Sequence, residues 1–481
     1  MNNRMMFRSV VYFYLVTIIT VVLLWVGRRG IVICSKGEIL VTVSFVAVGV
    51  FSIVCLTQGI FHCSISLFII HWYFILIFFF IVPFLQYLGN LFLYEVELDD
   101  LLLGNLLTLL WCLVYLFFYR YTIKKVNEGS RRFPILLQRK IDVHLPKAKL
   151  CSLAVISITV GCYLLFLGGL GSFLTRGSYA AFVRHLGGWG PLSLIVTYYL
   201  RPLLFCVFVL FAAVLFLSGK AKKPWFLWLC FFLLSLVNVV VNNPLSYARF
   251  MSFSMIFGLF VLFSFQRIKP SLVYLYVLFM GLPLSQIAGI FRQEYSGVRE
   301  NFRFGFNWSF LFLGDFDTYE NFIHTISYVA NAGIMFGWQL AGALLFFVPR
   351  SLWAGKPIGS GTYIAQFLGD KFAIINFNIA NPLISEMYLN FHVFGIVGGA
   401  LFYGVVTGWL DKRYWMLIKV RNLGQSNGER WLTSYQLLYP FLLGLFLLHL
   451  RGDFMCSFAY TTGFVLAFGT VVTFLIVKIG Q

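Results

Sequence analysis

Long apolar runs recur from one end of the chain to the other, and short polar segments separate them. A helix needs about 20 mostly apolar residues to cross a hydrocarbon layer about 30 Å thick, where its backbone must satisfy its own hydrogen bonds. The pattern therefore predicts an all-α, polytopic membrane protein with a single integral-membrane domain over residues 1–481. The predicted helices, about 12 of them, lie near 9–26, 39–57, 65–88, 101–119, 150–171, 190–217, 225–241, 250–266, 271–290, 392–410, 435–449 and 458–478.

Composition supports this interpretation and argues against an ordinary soluble protein. Of the 481 residues, 60% are hydrophobic and 11% are charged, whereas soluble domains average about 25% charged residues. The aromatic share of 19% is typical of lipid contact and of the interfacial belts where Trp and Tyr gather. The nine cysteines form no CxxC pair and indicate neither a disulfide framework nor a metal site.

The distribution of positive charge predicts the orientation of the chain. The loop 120–149 carries nine Lys and Arg residues against two acidic ones, so the positive-inside rule assigns it to the cytoplasm. Counting outward from this basic cytoplasmic loop puts both termini in the cytoplasm and the acidic segment 95–100 outside. Such loops account for most of the net charge of +19, which therefore indicates no nucleic-acid partner.

The same count predicts one large external, periplasmic loop over residues 291–391. It contains an apolar stretch, 334–348, which Gly337 and Gly342 interrupt. At about 15 residues this stretch is short for a membrane span, so we expect a re-entrant or interfacial helix there.

Several cations lie at or near the external face, where the positive-inside rule does not explain them. Taken singly, each is explained as a solvated or snorkelling anchor, but the set indicates a ligand with an anionic head group and a lipid tail. A guanidinium group is planar, permanently charged and able to donate two parallel hydrogen bonds, which suits a diphosphate. The predicted diphosphate-binding residues are Arg249, Arg292 and Arg451, followed by Arg176, Arg299, Arg303, Arg350 and Lys356.

Two carboxylates in the same region are candidates for a catalytic base. Glu386 precedes a glycine-rich apolar run, where partial desolvation makes a carboxylate a better proton acceptor. Asp453, two residues after Arg451, is the second candidate. Asp315 and Asp317 form a DxD pattern, which can hold a divalent metal on a diphosphate. Three-residue patterns are common, so no metal ligand is assigned, although a metal-dependent enzyme using this pair or the segment 95–100 stays an alternative.

Four segments together resemble the Wzy-type polymerases, which join oligosaccharide repeat units into O-antigen and related polysaccharides. Residues 347–359 (FVPRSLWAGKPIG) look like the external-loop motif of that family, and 381–399 are similar to its next block. Residues 242–249 look like its short external arginine turn, and 450–453 are similar to another family position. The resemblance covers most of the chain and is most specific between Pro349 and Glu386.

The resemblance implies a lipid-carrier-dependent glycosyltransferase of the GT-C type, located in the bacterial inner membrane and active at its periplasmic face without a cofactor. Its donor and acceptor would both be glycans linked to undecaprenyl diphosphate. External arginines would stabilise the departing lipid diphosphate, and Glu386, or Asp453 in its place, would deprotonate the acceptor hydroxyl. The other partners that the resemblance implies are membrane lipids, a Wzz-type chain-length regulator and a Wzx-type flippase.

Two other functions stay open at this point. An O-antigen ligase differs in its acceptor, but the histidine-containing external motif of ligases is not recognisable here, which favours a polymerase. A polysaccharide flippase or secondary transporter would also have about 12 helices, and such proteins usually show internal repeats and ionisable residues at the membrane midplane. No repeat is visible in this sequence, and the predicted spans contain almost no charge.

The predicted orientation is tested with reporters fused after Gln481. We expect a green fluorescent protein fusion to be fluorescent and an alkaline phosphatase fusion to be inactive, because both termini are predicted to be cytoplasmic. Truncations that place the same reporters within 120–149 provide the matched control. An active phosphatase after Gln481 would invert the map and place the cations discussed above in the cytoplasm.

Overall fold

The computed structural model describes residues 35–62, 65–92, 94–125, 140–141, 147–187, 190–217, 224–264, 316–369, 379–425 and 432–476. Almost all of this part of the chain is helical. The helices are α1 Lys36–His62, α2 Leu67–Gly89, α3 Leu98–Lys125, α4 Lys147–Gly168, α5 Arg176–His185, α6 Pro191–Phe216, α7 Trp225–Val241, α8 Arg249–Ser264, α9 Thr318–Ala332, α10 Trp338–Leu344, α11 Ser360–Phe367, α12 Leu383–Gln425, α13 Ser434–Arg451 and α14 Phe454–Ile476.

The described residues contain seven helices that are long and apolar enough to cross a membrane, and α7 and α8 are shorter apolar helices. These confirm the prediction of an α-helical, multi-pass membrane protein. The helix α7 has the predicted bounds, and α1, α2, α3 and α6 overlap their predicted spans closely. The predicted spans near 9–26 and 271–290 lie outside the described residues, and the total of about 12 stays a prediction.

The described part of the predicted loop 291–391 has more structure than the sequence indicated. It contains α9, α10 and α11, of which α9 is buried along most of its length. The helix expected near 334–348 is the seven-residue α10, which ends at Leu344 in a series of turns. The helix α12 begins at Leu383, before the predicted run, and has non-helical dihedral angles at Phe391 and His392. A short N-terminal piece therefore precedes the long apolar part.

Close helix packing at the centre of the fold depends on glycine. At Gly404 of α12 an added Cβ would lie 2.8 Å from the backbone oxygen of Tyr115 in α3, so only glycine allows this approach. At Gly444 of α13 it would lie 2.5 Å from the Cα of Ser254 in α8. Small residues at such crossings let helix backbones approach closely, which drives association inside a bilayer.

The side chain of Asp411 joins four helices at one end of the bundle. This fully buried carboxylate of α12 accepts hydrogen bonds from the backbone N–H groups of Leu67 (3.0 Å) and Phe68 (3.2 Å) at the start of α2. It also accepts from the hydroxyl of Tyr119 in α3 (2.7 Å) and from that of Tyr439 in α13. The first N–H groups of a helix have no partner within the helix, and its positive end favours an anion. Asp411 therefore caps α2 from another helix.

The two ends of α3 separate the basic and acidic parts of the chain. Its first turn contains Asp99 and Asp100, and its last turn contains Lys124 and Lys125. The strand β1, Lys140–Ile141, pairs antiparallel with the strand β2, Leu432–Thr433, which directly precedes α13. The last turn of α3, the strand β1 and the start of α13 therefore lie at the same end of the bundle, opposite the acidic segment.

Candidate active site

The carboxylate of Glu386 lies at the end of the bundle opposite the basic loops and is fully buried. Its Oε1 atom accepts hydrogen bonds from the hydroxyl of Ser360, the first residue of α11, and from the backbone N–H of Phe454 (3.0 Å), the first residue of α14. Three helices thus meet at one carboxylate oxygen. Within the described ranges, its other oxygen, Oε2, has no hydrogen-bond partner.

A buried network of amides and hydroxyls fixes the position of Glu386. The side-chain amide of Asn381 donates to the Ser360 hydroxyl (3.1 Å), and its oxygen accepts from the hydroxyl of Thr325 in α9 (3.2 Å). The amide of Asn390 donates to the backbone oxygen of Glu386 (2.8 Å). Because each of these groups is buried, losing one partner leaves the others unsatisfied at a cost in stability.

Asp453 is a second buried carboxylate beside Glu386. It directly precedes α14, where its Oδ1 accepts from the backbone N–H of Cys456 (3.1 Å) and so caps the helix. Its charge interacts with that of Glu386, so the two predicted bases lie in one site. Neighbouring carboxylates can share one proton, which is a common arrangement for general acid–base chemistry.

His449 and Tyr403 also belong to this site, although the sequence did not single them out. The Tyr403 hydroxyl bonds to His449 Nε2, and His449 Nδ1 bonds to the Ser457 hydroxyl (3.2 Å). Tyr403 interacts electrostatically with Glu386. Both residues are buried in apolar helices. The one sequence signal that could have identified this pair is the position of His449 near the end of an apolar run, two residues before Arg451.

Two of the predicted arginines lie near the carboxylates. Arg451 is buried at the end of α13, where its guanidinium packs over the ring of Phe250 at 4.4 Å. Arg176 begins α5 and is exposed, and its charge acts on Cys456 and Tyr460 of α14. The backbone of Arg249 begins α8. Arg292, Arg299 and Arg303 lie outside the described residues, so their role in binding a diphosphate stays a prediction.

Arg350 and Lys356 bind backbone oxygens of their own loop. Arg350 donates from Nη1 to the oxygen of Lys356 (2.7 Å), and Lys356 Nζ donates to the oxygens of Phe346 (2.6 Å) and Val348 (3.0 Å). Burial lowers the pKa of Lys356 below its usual value, and the nearby charge of Arg350 acts in the same direction. Both side chains therefore hold their own loop together. To bind a diphosphate as predicted, they would have to give up these hydrogen bonds to backbone oxygens.

An apolar groove of about 360 Å³ lies near Glu386, which is not itself part of its wall. Its wall includes Phe454, whose N–H bonds to Glu386, and Tyr403, which interacts with it electrostatically. The wall also includes Met387, the residue after Glu386. Phe394 lines the groove and is 86% exposed, so the groove opens onto the outer surface of the helix bundle. At Gly398, also in the wall, an added Cβ would meet no atom within 4 Å.

No group of three or more His, Cys, Asp and Glu side chains is arranged to hold a metal ion in the part of the chain that the structure describes. Asp317 immediately precedes α9, but Asp315 lies outside the described residues, so the DxD pattern is not tested. Comparison with protein-family models, with curated proteins and with solved structures found no match for this chain.

The network around Glu386 is tested by the substitution Ser360→Ala, with Ser385→Ala as the matched control. Both serines are fully buried, but the Ser385 hydroxyl has no hydrogen-bond partner among the described residues. Because Ser360 bonds to two buried partners, we expect its loss to lower the free energy of unfolding by about 1–3 kcal/mol, measured by thermal unfolding of the purified protein in detergent. Equal melting temperatures for the two variants would contradict this account of the network.

Proposed function

We propose that this protein is an O-antigen polymerase, a glycosyltransferase that joins oligosaccharide repeat units carried on undecaprenyl diphosphate at the periplasmic face of the inner membrane. The observation that carries the proposal is the buried Glu386, whose Oε2 has no partner among the described residues, next to an apolar groove whose wall includes Met387 and Phe454. A transferase acting on lipid-linked glycans needs a base in a site shielded from water and a route for the lipid into that site.

Glu386 acts as the general base in this proposal. Its Oε2 accepts the proton of the acceptor hydroxyl as the oxygen attacks C1 of the donor sugar, and the bond between C1 and the diphosphate oxygen breaks. General bases contribute about 100- to 10,000-fold to such steps. Asp453, whose charge interacts with that of Glu386, shares the proton or replaces Glu386 as the base in this proposal.

Cations stabilise the leaving group, since negative charge grows on the lipid diphosphate as the C1–O bond breaks. Arg451 is the best supported of the predicted residues because it is buried two residues from Asp453. Arg176 supports the same role through its charge at the start of α14. Arg249 and Arg292 complete the proposed set, and Arg299, Arg303, Arg350 and Lys356 are secondary members.

The groove receives the prenyl tail of the donor. Its wall is apolar and aromatic, it opens outward from the bundle, and Phe454, whose N–H bonds to Glu386, forms part of that wall. The proposal includes the predicted topology of about 12 spans, cytoplasmic termini and a periplasmic loop. A Wzx-type flippase would deliver the substrates, and a Wzz-type partner would regulate the length of the polymer.

The first prediction of this proposal concerns Glu386→Gln, which preserves the size and shape of the side chain but cannot accept the proton. We expect polymer formation to fall by about 100-fold or more at unchanged expression, measured from the lipopolysaccharide ladder of a complemented deletion strain. The control is Glu320→Gln, because Glu320 is equally buried and accepts from the backbone N–H of Tyr94 (3.0 Å), a bond that glutamine retains.

The same strain separates the polymerase from the ligase. Loss of a polymerase leaves a single repeat unit on the lipid A core, and loss of a ligase leaves none. Normal polymer with Glu386→Gln would remove this residue as the base, and a core without any repeat in the deletion strain would replace the polymerase assignment with the ligase.

The second prediction concerns Gly398→Leu, which places a bulky side chain in the groove. We expect at least a tenfold loss of polymer, because the donor tail is excluded while the protein remains folded. Gly469→Leu in α14 is the matched control, since an added Cβ there also meets no atom within 4 Å and Gly469 does not line the groove. Equal activity of the two variants, measured with purified protein and lipid-linked repeat units, would show that the groove holds no substrate.

A further inference from the structure

Arg201 lies within the apolar helix α6, in the predicted span 190–217, and its side chain is completely buried. No pattern in the sequence singles it out. An arginine inside a membrane helix is costly unless its charge is compensated, and such residues generally face the interior of a bundle with a partner or ligand. The surroundings of this guanidinium therefore indicate what it does.

Aromatic rings surround the guanidinium of Arg201. Its central carbon lies 3.9 Å from the ring centre of Tyr247, 4.4 Å from that of Tyr179 and 5.8 Å from that of Phe173. These rings stabilise the positive charge in part, because a cation is attracted to the face of an aromatic ring. They supply no acceptor for its N–H groups.

The hydrogen bonds of Arg201 are incomplete. Its Nη2 donates to the hydroxyl of Ser246 (3.0 Å), but Nε and Nη1 have no hydrogen-bond partner among the described residues. No aspartate or glutamate in that part of the chain forms an ion pair with it. A buried cation with two unsatisfied donor atoms and no carboxylate partner has N–H groups available to bind an anion.

A short segment covers this site. Phe173 and Tyr179 both come from 170–186, which includes α5 and lies between Gly169 (φ +68°) and Gly187 (φ +90°). An added Cβ at either glycine would meet no atom within 4 Å, so both glycines border open space. Tyr179 is held down by a hydrogen bond between its hydroxyl and that of Thr197 (2.8 Å).

We infer that Arg201 is an anion-binding residue that takes a phosphate or diphosphate group when the segment 170–186 moves away from it. The planar guanidinium, with N–H groups still free to donate, matches phosphate oxygens. The diphosphate of a prenyl carrier fits best, and this part of the inference rests on the proposed function.

Binding to the purified, full-length protein in nanodiscs tests this inference, with farnesyl diphosphate, inorganic pyrophosphate and farnesol as probes and calorimetry as the measurement. We expect Arg201→Gln to weaken the binding of farnesyl diphosphate at least tenfold and Arg201→Lys to weaken it less, because lysine keeps the charge but not the planar fork. Arg184→Gln is the matched control, since Arg184 is an exposed arginine of the covering helix α5. Its binding should equal that of the wild type.

The probes distinguish the sources of the anion. Preference for farnesyl diphosphate over pyrophosphate identifies a lipid head group, and equal affinity for both identifies a free anion. Farnesol that binds as tightly as its diphosphate would overturn the inference, as would wild-type affinity in both Arg201 variants. If Arg201→Gln fails to fold, Tyr179→Ala gives an independent test, because removing the covering ring should strengthen binding or accelerate it. Unchanged binding in that variant would contradict the role of the cover.

This result is separable from the proposed function. Glu386→Gln should bind farnesyl diphosphate normally, since it removes the base and leaves Arg201 intact. If the wild-type protein makes no polymer but its binding of farnesyl diphosphate depends on Arg201, the anion site is supported and the polymerase is rejected. Normal polymer formation by Arg201→Gln with unchanged binding would reject the anion site and leave the polymerase proposal standing.

Discussion

The hydrogen bonds that converge on Oε1 of Glu386 set the arrangement of the whole site. A polar group enclosed by apolar helices must find its partners within the protein, because water is not available to supply them. Ser360 and the N–H of Phe454 come from segments far from Glu386 in the sequence. Because both groups bond to one oxygen, α11 and the start of α14 lie beside Glu386. Asp453 and Ser457 lie at the start of α14 and are therefore close to the same carboxylate. The groove and the candidate catalytic groups are consequences of that junction.

The helix α12 carries a second buried carboxylate, and the contrast between the two is instructive. Asp411 accepts four hydrogen bonds, two from the start of α2 and two from tyrosines. Both of its oxygens are satisfied, which suits a structural role at the cytoplasmic end that the charges predict. Glu386 uses one oxygen to hold helices together and keeps the other directed at no described partner. Asp411 is thus bound through both of its oxygens and Glu386 through one.

Aromatic rings contact Arg201 and Arg451, two buried arginines in the described part of the chain. With 36 Lys and Arg against 17 Asp and Glu, more than half of the cations can have no carboxylate of their own. Arg451 packs over Phe250, and Arg201 lies among Phe173, Tyr179 and Tyr247. Cation–π contacts stabilise a guanidinium and leave its N–H groups able to donate. Two donor atoms of Arg201, Nε and Nη1, accordingly have no hydrogen-bond partner among the described residues.

The sequence by itself determined the helical, multi-pass character and the approximate bounds of helices such as α7, because the length of an apolar run is a local property that the bilayer translates directly into a span. It also singled out Glu386 and Asp453, since a carboxylate beside an apolar run is conspicuous. It missed Arg201 and His449, whose importance depends on which groups face them. Only the tertiary structure brought Glu386 next to Asp453 and directed Lys356 to backbone oxygens. Hydrogen bonding and packing join residues that are distant along the chain, and no local pattern encodes those pairings.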